Sequence, residues 1–569
     1  MNHVYTLGIC NDDTASACMF RDGRLISAVS EERFSRIKMD NSFPRRSIDF
    51  VLSEAGKNLQ DIDQVAYAWS KGFPEDALEN YIERSFQISH SGDLRAQASF
   101  QAKIREDVKR DRFKRAEFEE WIDKNKHQIQ NYQSFYHHEA HALSATLLSP
   151  FDHAVCLTAD GRGDFEAITA WIFNRSNSQP LRKIYTSTAC DSLGFFYGRI
   201  TGLLGFKPCR HEGKVTGLAA SGDRYRAIDL MRKMIDFEDG SIVAKISDYY
   251  EPFYTVYSRP LLDEIARYSK EDIAAAAQFH LENLLQKLTQ SIYERHALPA
   301  MPLAVAGGVF GNVRLNQVLK ELPCVTSMFV QPQMGDGGLC LGAAAGAQHQ
   351  CEIRIQSLQD LYLGPDVSIG QVDHLSAVFP DLQFIQPDDL LEFVVNELKA
   401  SNVVGLVRGR MEFGPRALCH RSIIYKASDQ SSNDWLNKRM NRTEFMPFAP
   451  VMTMNQARKA FDQFSESDIT LKFMTSTMNA NAFFVSRCPA VSHVDHTARP
   501  QIIDSKEDPF MHSLLCRWEE LTGEIALINT SFNAHEEPIV CDVADALKGL
   551  EAGMVDTIVL ERLIVKRMF

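Results

Sequence analysis

Several things this sequence lacks narrow the field. Twelve cysteines are spread from Cys10 to Cys541 and no two form a C-x-x-C pair, which argues against a zinc ribbon or a disulfide framework and suits a reducing compartment. The opening, MNHVYTLGICNDD, has no basic stretch followed by an apolar core, so no signal peptide is expected. No apolar run reaches the roughly 18–20 residues of a membrane span. The expectation is a cytoplasmic protein with no membrane partner. Basic residues are outnumbered 61 to 74, giving a formal net charge of -13. The broad basic footprint of a nucleic-acid binder is therefore missing, and no nucleic-acid partner is expected. Two catalytic signatures are absent as well. There is no G-x-x-x-x-G-K-[ST] phosphate loop, and Glu139 lies between His138 and His141 at the wrong spacing for the H-E-x-x-H of zinc proteases.

What is present reads as an α/β protein of two domains, since a single core stops growing well below 569 residues. The chain opens strand, acidic turn, strand, strand: VYTLGI, Asn11-Asp12-Asp13, ASACMF, Asp22-Gly23, LISAVS. Asp-Gly between apolar runs is a hairpin signal. A similar unit returns at 154–173, with Asp160-Gly161 between AVCLTA and AITAWIF. The two are either a duplicated core with carboxylates facing one cleft or two unrelated hairpins. Residues 76–130 are highly charged at helical spacing and read as solvent-facing helices. A helix is predicted over 270–296, feeding the strand PLAVA and Gly307-Gly308. The pattern weakens after Gly346. The first domain is placed at 1–355, a linker at 356–390, and a second domain at 391–569, opening with helix LLEFVVNELKA and strand VVGLV.

Three groups of residues carry candidate chemistry. His137 and His141 are four apart in YHHEAHALSA, so on a helix they share a face and can ligate one ion, while His138 points elsewhere. Taken alone, a bare H-x-x-x-H pair more often serves a structural or helix-capping role than a metal. Asp160 in LTADGRGD and Asp336 in QMGDGG would complete a set of two imidazoles and two carboxylates, which suits iron(II), manganese or zinc. Glycine turns form the second group: Gly213-Lys214-Val215-Thr216-Gly217 before a helix start, Gly307-Gly308 leading through Asn312 into a helix, and Gly335 and Gly337 around Asp336. Glycines let backbone amides approach phosphate, and a following helix N-terminus adds positive potential. Arg36 and Lys38 in SEERFSRIK could add cationic contacts. Together these features suggest an actin-like ATPase core that binds ATP with Mg2+. The third group is RGRMEFGPRALCHRS, with four arginines in fourteen residues, followed by Arg442, Arg499, Asn529 and Ser531. Guanidinium forks bind phosphate bidentately, so this reads as an anion pocket.

At these motifs the chain resembles the NodU/CmcH carbamoyltransferase family, whose members include tobramycin carbamoyltransferase. The resemblance rests on EERFSRIK, HHEAHALSA, DGRGD, SLGFFYGRITGLLGF, EGKVTGLA, GGVFGN, GDGG, GRMEFGPRAL, EFMPFAP, TARPQ and NTSFN, in order along nearly the whole chain. It implies a first domain similar to the tRNA-threonylcarbamoyl transferase, of actin-like (ASKHA) fold, and an α+β second domain similar to YrdC-type adenylate synthases. The second domain would hydrolyse carbamoyl phosphate to carbamate, which ATP converts to carbamoyl-adenylate. The intermediate would cross internally to the first domain, where a hydroxyl-bearing small molecule or glycan attacks it. By the same resemblance His137, His141, Asp160 and Asp336 hold a metal, iron(II) favoured; Lys38 touches the nucleotide; and Arg416, Arg499 and Asn529 hold carbamoyl phosphate.

The chain departs from that pattern in two places. Relatives often carry His in an H-D-x-S-A-A-L turn, where this chain has Asp13-Thr14-Ala15-Ser16-Ala17-Cys18-Met19, making Asp13 the candidate base. The Lys that often precedes P-F-A-P in relatives is replaced by Met440 or Asn441. The competing readings are a tRNA-type threonylcarbamoyl transferase, disfavoured by the acidic balance, and a non-enzymatic nucleotide-sensing module. The chain is also compatible with a homodimer.

Overall fold

A computed structural model of the chain describes residues 3–68, 78–79, 82–83, 94–251, 257–367, 377–441 and 447–568. The apolar run Tyr5–Cys10 is buried at all six positions, as befits a strand at the centre of a covered sheet. It pairs antiparallel with Ser16–Arg21, Cys10 opposite Ser16, and parallel with Gln64–Tyr67, which is parallel in turn to Tyr132–Ser134. Arg24–Ser30 completes the sheet beside Ser16–Arg21. The link to it is Asp22-Gly23, both at positive φ (49° and 78°), the geometry of a tight two-residue hairpin turn.

A second five-stranded sheet repeats this order. His153–Gly163 forms a hairpin with Glu166–Asn174, which pairs with Leu181–Thr188. On its other edge His153–Gly163 runs parallel to Met301–Ala306, and that strand runs parallel to Val325–Val330. Each sheet is thus three consecutive neighbours followed by two parallel strands added beside the first. The two hairpins open topologically equal halves, which favours a duplication, but the second turns at Asp164-Phe165, and Asp160-Gly161 lies within its first strand, at an irregularity in the pairing.

The halves exchange helices. His137–Leu147 follows the last strand of the first sheet yet packs on the second, against His153–Gly163 and Met301–Ala306. Leu339–Gln350 follows the last strand of the second sheet and packs on the first, against Tyr5–Cys10. The two helices also meet each other. A Cβ on Gly342 would stand 1.8 Å from the Ala140 carbonyl oxygen, so this crossing needs the small-residue run LGAAAGA.

The second unit is built on an eight-stranded mixed sheet in the order Leu382–Ile385, Leu563–Arg567, Thr557–Leu560, Val404–Val407, Arg421–Lys426, Leu527–Ser531, Ala449–Thr453, Gln501–Ile503. Period-two alternation sends successive side chains to opposite faces. Val404, Ile424, Val559 and Ile564 join one core with Trp518 and Leu398, whereas Val407, Ile423, Ile558 and Val565 join another with Leu547 and Leu550. The helices Leu390–Lys399 and Pro509–Thr522 cover the first face, and Val543–Glu551 packs on the second.

The division between units differs from the sequence reading in two segments. One unit comprises Met1–Ile26 and Asn41–Leu358, the other Ser27–Asp40 and Gln359–Phe569. Ser27–Asp40 goes with the second unit because Phe34 packs on its apolar cluster around Met411 and Ile539, and Arg33 Nη2 donates to the Gly414 carbonyl at 2.9 Å. Residues 359–367 and 377–390, placed in the linker above, are also part of that unit: Tyr362 bridges to Glu412, its ring stacks on His420 at 3.7 Å, and Leu382–Ile385 is the edge strand of the sheet.

Candidate active site

The topology of the first unit gathers several chain segments at the carboxyl ends of its parallel strands, where open α/β sheets bind their ligands. Asp12 follows Tyr5–Cys10, and Asp160 lies near the end of His153–Gly163. His137 opens one exchanged helix, and Asp336 opens the turn before the other. The carboxylate of Asp164 accepts from the His137 backbone N–H at 2.5 Å, satisfying an amide that the helix leaves over. One turn on, His141 falls on the same face.

His141 Nε2 lies 3.1 Å from Asp160 Oδ2 and 3.5 Å from Asp336 Oδ1; His137 Nε2 is 3.9 and 3.7 Å from the same oxygens. One ligand atom from each of the four residues lies within 4.8 Å of the others. Donors held roughly 2.0–2.2 Å from one ion stand about 3–4 Å apart, so this set fits a divalent transition metal. Asp336 Oδ1 is buried with no hydrogen-bond partner among the described residues, a costly state that a cation relieves. Asp160 is anchored by the Gly161 N–H at 2.7 Å and the Gly308 N–H at 3.1 Å. Burial works against a charge on His141, but the Asp160 and Asp336 carboxylates outweigh it and raise its pKa to about 9. Burial likewise opposes ionisation of Asp160, and the His137 and His141 imidazoles beside it still hold it well below the usual range.

His138 is turned away, as expected, and both its nitrogens are engaged. Its Nε2 lies 3.1 Å from the Glu166 carbonyl and must carry the hydrogen, because a carbonyl only accepts. Its Nδ1 then accepts from Thr158, whose hydroxyl is 2.5 Å from that of Thr169, which accepts from the Trp171 indole at 2.7 Å. Burial, then the neighbouring imidazoles, push the pKa of His138 well down. It stays neutral and is no ligand.

A second shell of charge surrounds the cluster. Asp12 Oδ2 is 3.7 Å from His137 Nδ1, and Asp13, half-exposed, is 3.8 Å from Arg110 Nη1. Burial and then repulsion by Asp336 raise the pKa of both aspartates, the direction that suits a base working near neutrality. Arg162 grips Asp111 with two bonds of 2.8 and 2.9 Å. Asp12, Arg162 and Asp164 sit inside motifs quoted above without being singled out. Arg110 and Asp111 lie in the charge run read as a solvated face, where nothing local marks them.

Of the glycine turns, Gly307 has φ 106° and a Cβ there would lie 2.2 Å from the Ala159 carbonyl oxygen, so only glycine lets this loop reach the strand end. Asn312 caps the helix Val313–Lys320. Gly213, Lys214 and Gly217 lie within the helix Glu212–Ala219 rather than in a turn before it. Tertiary packing against Lys270–Arg295 overrides the modest helix penalty of glycine. Lys214 is buried, and Gly335 and Gly337 flank Asp336. Arg36 and Lys38 belong to the segment counted with the second unit. There Arg36 donates to the Pro538 and Ile539 carbonyls at 2.9 and 2.8 Å and pairs with Asp545.

In the second unit the arginine cluster separates by role. Arg421 is fully buried and its guanidinium donates to the carbonyls of Cys541, Arg408, Gly409, His420 and Pro365. Arg410 donates to the Leu363 and Gly364 carbonyls, and Arg408 pairs with Asp508. These three build the loop. Burial pulls the Arg416 guanidinium down to about 10, a state that an anion would relieve. The side chain of Asn529 donates to the Ala417 carbonyl at 3.1 Å and to Gln501 at 2.6 Å, which brings the segments of Arg416, Arg499 and Asn529–Ser531 together. Asn529 Oδ1 is buried with no hydrogen-bond partner among the described residues. Arg442 lies outside the described residues.

Residues 5–345 match the family model described as carbamoyltransferase N-terminus, and residues 395–567 match carbamoyltransferase C-terminus. An uncharacterized protein of Synechocystis is 29% identical, covering 100% of this chain and 97% of its own. An uncharacterized protein of Methanocaldococcus jannaschii is 29% identical over 99% of both chains. Nodulation protein NolNO of Sinorhizobium fredii is 30% identical over 97% of this chain and 78% of its own. With both family models matched in order, the chain belongs to the carbamoyltransferase family and is an enzyme of that class.

Proposed function

We propose that this carbamoyltransferase takes its carbamoyl group from carbamoyl phosphate, activates it with ATP, and places it on a hydroxyl of a natural-product or sugar acceptor. Water first splits carbamoyl phosphate into carbamate and phosphate. A carbamate oxygen then attacks the α-phosphorus of ATP, forming carbamoyl-adenylate and releasing pyrophosphate. The acceptor oxygen attacks the carbamoyl carbon, loses its proton, and AMP leaves. Keeping both steps in one chain shelters carbamate, which loses carbon dioxide readily in water.

The observation that carries this reading is the His137, His141, Asp160 and Asp336 cluster at the strand ends of a duplicated sheet, in a chain of this family. The duplication with exchanged helices supports an actin-like ATPase assignment for the first unit, and the mixed sheet is compatible with a YrdC-like second unit. Iron(II), or another divalent transition metal, would be held by those four side chains and would supply Lewis-acid stabilisation of charge on the nucleotide, with Mg2+ accompanying ATP. The Gly307–Asn312 loop and the helix Glu212–Ala219 would face the phosphates and nucleoside, and Gly335 and Gly337 would leave room beside Asp336. Asp13 would take the proton of the acceptor hydroxyl. In the second unit Arg416 and Arg499 would hold the phosphate of carbamoyl phosphate, with Ser531 alongside, and Asn529 Oδ1 would accept from its amide. The test is incubation with ATP, carbamoyl phosphate and a panel of hydroxylated acceptors, read by mass spectrometry for gain of one carbamoyl group. Product that forms equally well without ATP would remove the adenylate route.

A further inference from the structure

We infer that Gln278, held by Tyr197, is the positioning residue that sets the spacing between the two nucleotide-facing segments of the first unit. The inference rests on the proposal that the Gly307–Asn312 loop and the helix Glu212–Ala219 bind ATP. Gln278 lies on the helix Lys270–Arg295 and is buried, as is Tyr197 on the helix Leu193–Leu203. Both are far along the chain from the segments they join.

The amide of Gln278 has two acceptor sites and two N–H donors, and all four are used. Its Oε1 accepts from the Tyr197 hydroxyl at 2.6 Å and from Asn312 Nδ2 at 2.8 Å. Its Nε2 donates to Asn312 Oδ1 at 3.2 Å and to Glu282 Oε1 at 2.8 Å. Gln278 and Asn312 therefore form a reciprocal amide pair, which fixes the orientation of both. Asn312 Oδ1 also accepts from the Leu315 N–H at 3.1 Å, so the same contact sets the start of the helix Val313–Lys320 and the exit of the glycine loop. On the other side the Tyr197 hydroxyl is 3.0 Å from Thr216 Oγ1, which is 3.4 Å from Asn312 Nδ2. Thr216 stands between Lys214 and the end of its helix, so one buried amide ties four helices and both segments into a single register.

A network with every donor and acceptor matched has one geometry, and loss of one member leaves the others buried without partners. Its expected effect is on ground-state nucleotide binding, because none of its atoms belongs to the metal cluster or to Asp13. In the full-length protein Gln278→Glu keeps the two acceptor contacts, loses both donors, and sets a carboxylate against Glu282. Tyr197→Phe removes one donor and is the gentler change. The experiment measures ATP binding calorimetrically, then KM for ATP, kcat and metal content for the wild type and both variants. KM for ATP should rise about tenfold in Gln278→Glu and less in Tyr197→Phe, with kcat and metal content nearly unchanged, the signature of lost uniform binding. A wild type that binds no ATP removes the nucleotide assignment and this inference with it. A wild type that binds, beside folded variants with unaltered KM, overturns the role of Gln278 alone. A fall in kcat and metal content at constant KM also overturns it, since that is the mark of a general structural role. If Gln278→Glu does not fold, Tyr197→Phe decides by the same split.

Discussion

At Gly163 an added Cβ would stand 2.1 Å from Cγ of His137 and 2.2 Å from its Cδ2, so this imidazole occupies space that only glycine leaves. Gly163→Ala should fold, displace His137, and weaken metal binding about 10–100-fold, the usual cost of disturbing a ligand's support. Metal analysis beside His137→Ala checks this, and wild-type metal content in Gly163→Ala would show that the ring has another place to go. His141 gives a second expectation. With its pKa near 9, it is protonated at neutral pH and must lose that proton when Nε2 takes a metal. Below about pH 9 binding should therefore release a proton, and apparent affinity should climb by up to tenfold per pH unit before levelling off above that value. Calorimetry in buffers of different ionisation enthalpy counts the proton; none released at pH 7 would show that His141 is already neutral there. Spacing alone made both histidines visible in the sequence. Gly163 was not visible, because nothing local says that a ring from another element will pass over it.

The charged helix Leu94–Asn125 shows what element-scale reading misses. Its composition marks it as solvated, and much of it is exposed. Yet Phe118 stacks on Tyr67 at 3.9 Å, Asn11 Nδ2 donates to the Lys114 carbonyl at 3.1 Å, and Arg162 closes on Asp107 and Asp111. These ties hold the helix beside the acidic turn that carries Asp12 and Asp13. The Arg162 side chain is 3% exposed, so Arg162→Met should leave buried carboxylates uncompensated and cost about 3–5 kcal/mol. Urea unfolding measures it; a change within about 0.5 kcal/mol would mean the pair is solvated in solution. The helix Glu212–Ala219 errs the other way. Its glycines read as a turn, but packing against a long neighbour keeps them helical.

For the molecule as a whole, the proposed chemistry assigns each half-reaction to its own set of side chains. Arg416→Ala should stop pyrophosphate release from ATP whether or not acceptor is present, since loss of a charge-assisted phosphate contact costs several kcal/mol. His141→Ala should retain part of that release and lose carbamoylation of acceptor. Parallel assays decide it, and equal loss of both steps in folded His141→Ala would put activation and transfer in one cleft. The sequence by itself determined the family, the α/β class, the two acidic hairpins and the four clustered metal-type residues, because periodicity, turn chemistry and motif order are written locally. Only the tertiary structure decided that the hairpins open two equal sheets with exchanged helices, that Ser27–Asp40 packs with the second unit, and that Arg410 and Arg421 serve main-chain carbonyls while Arg408 pairs with Asp508. Those outcomes depend on which distant groups become neighbours, and a buried guanidinium binds whichever acceptors the fold places around it.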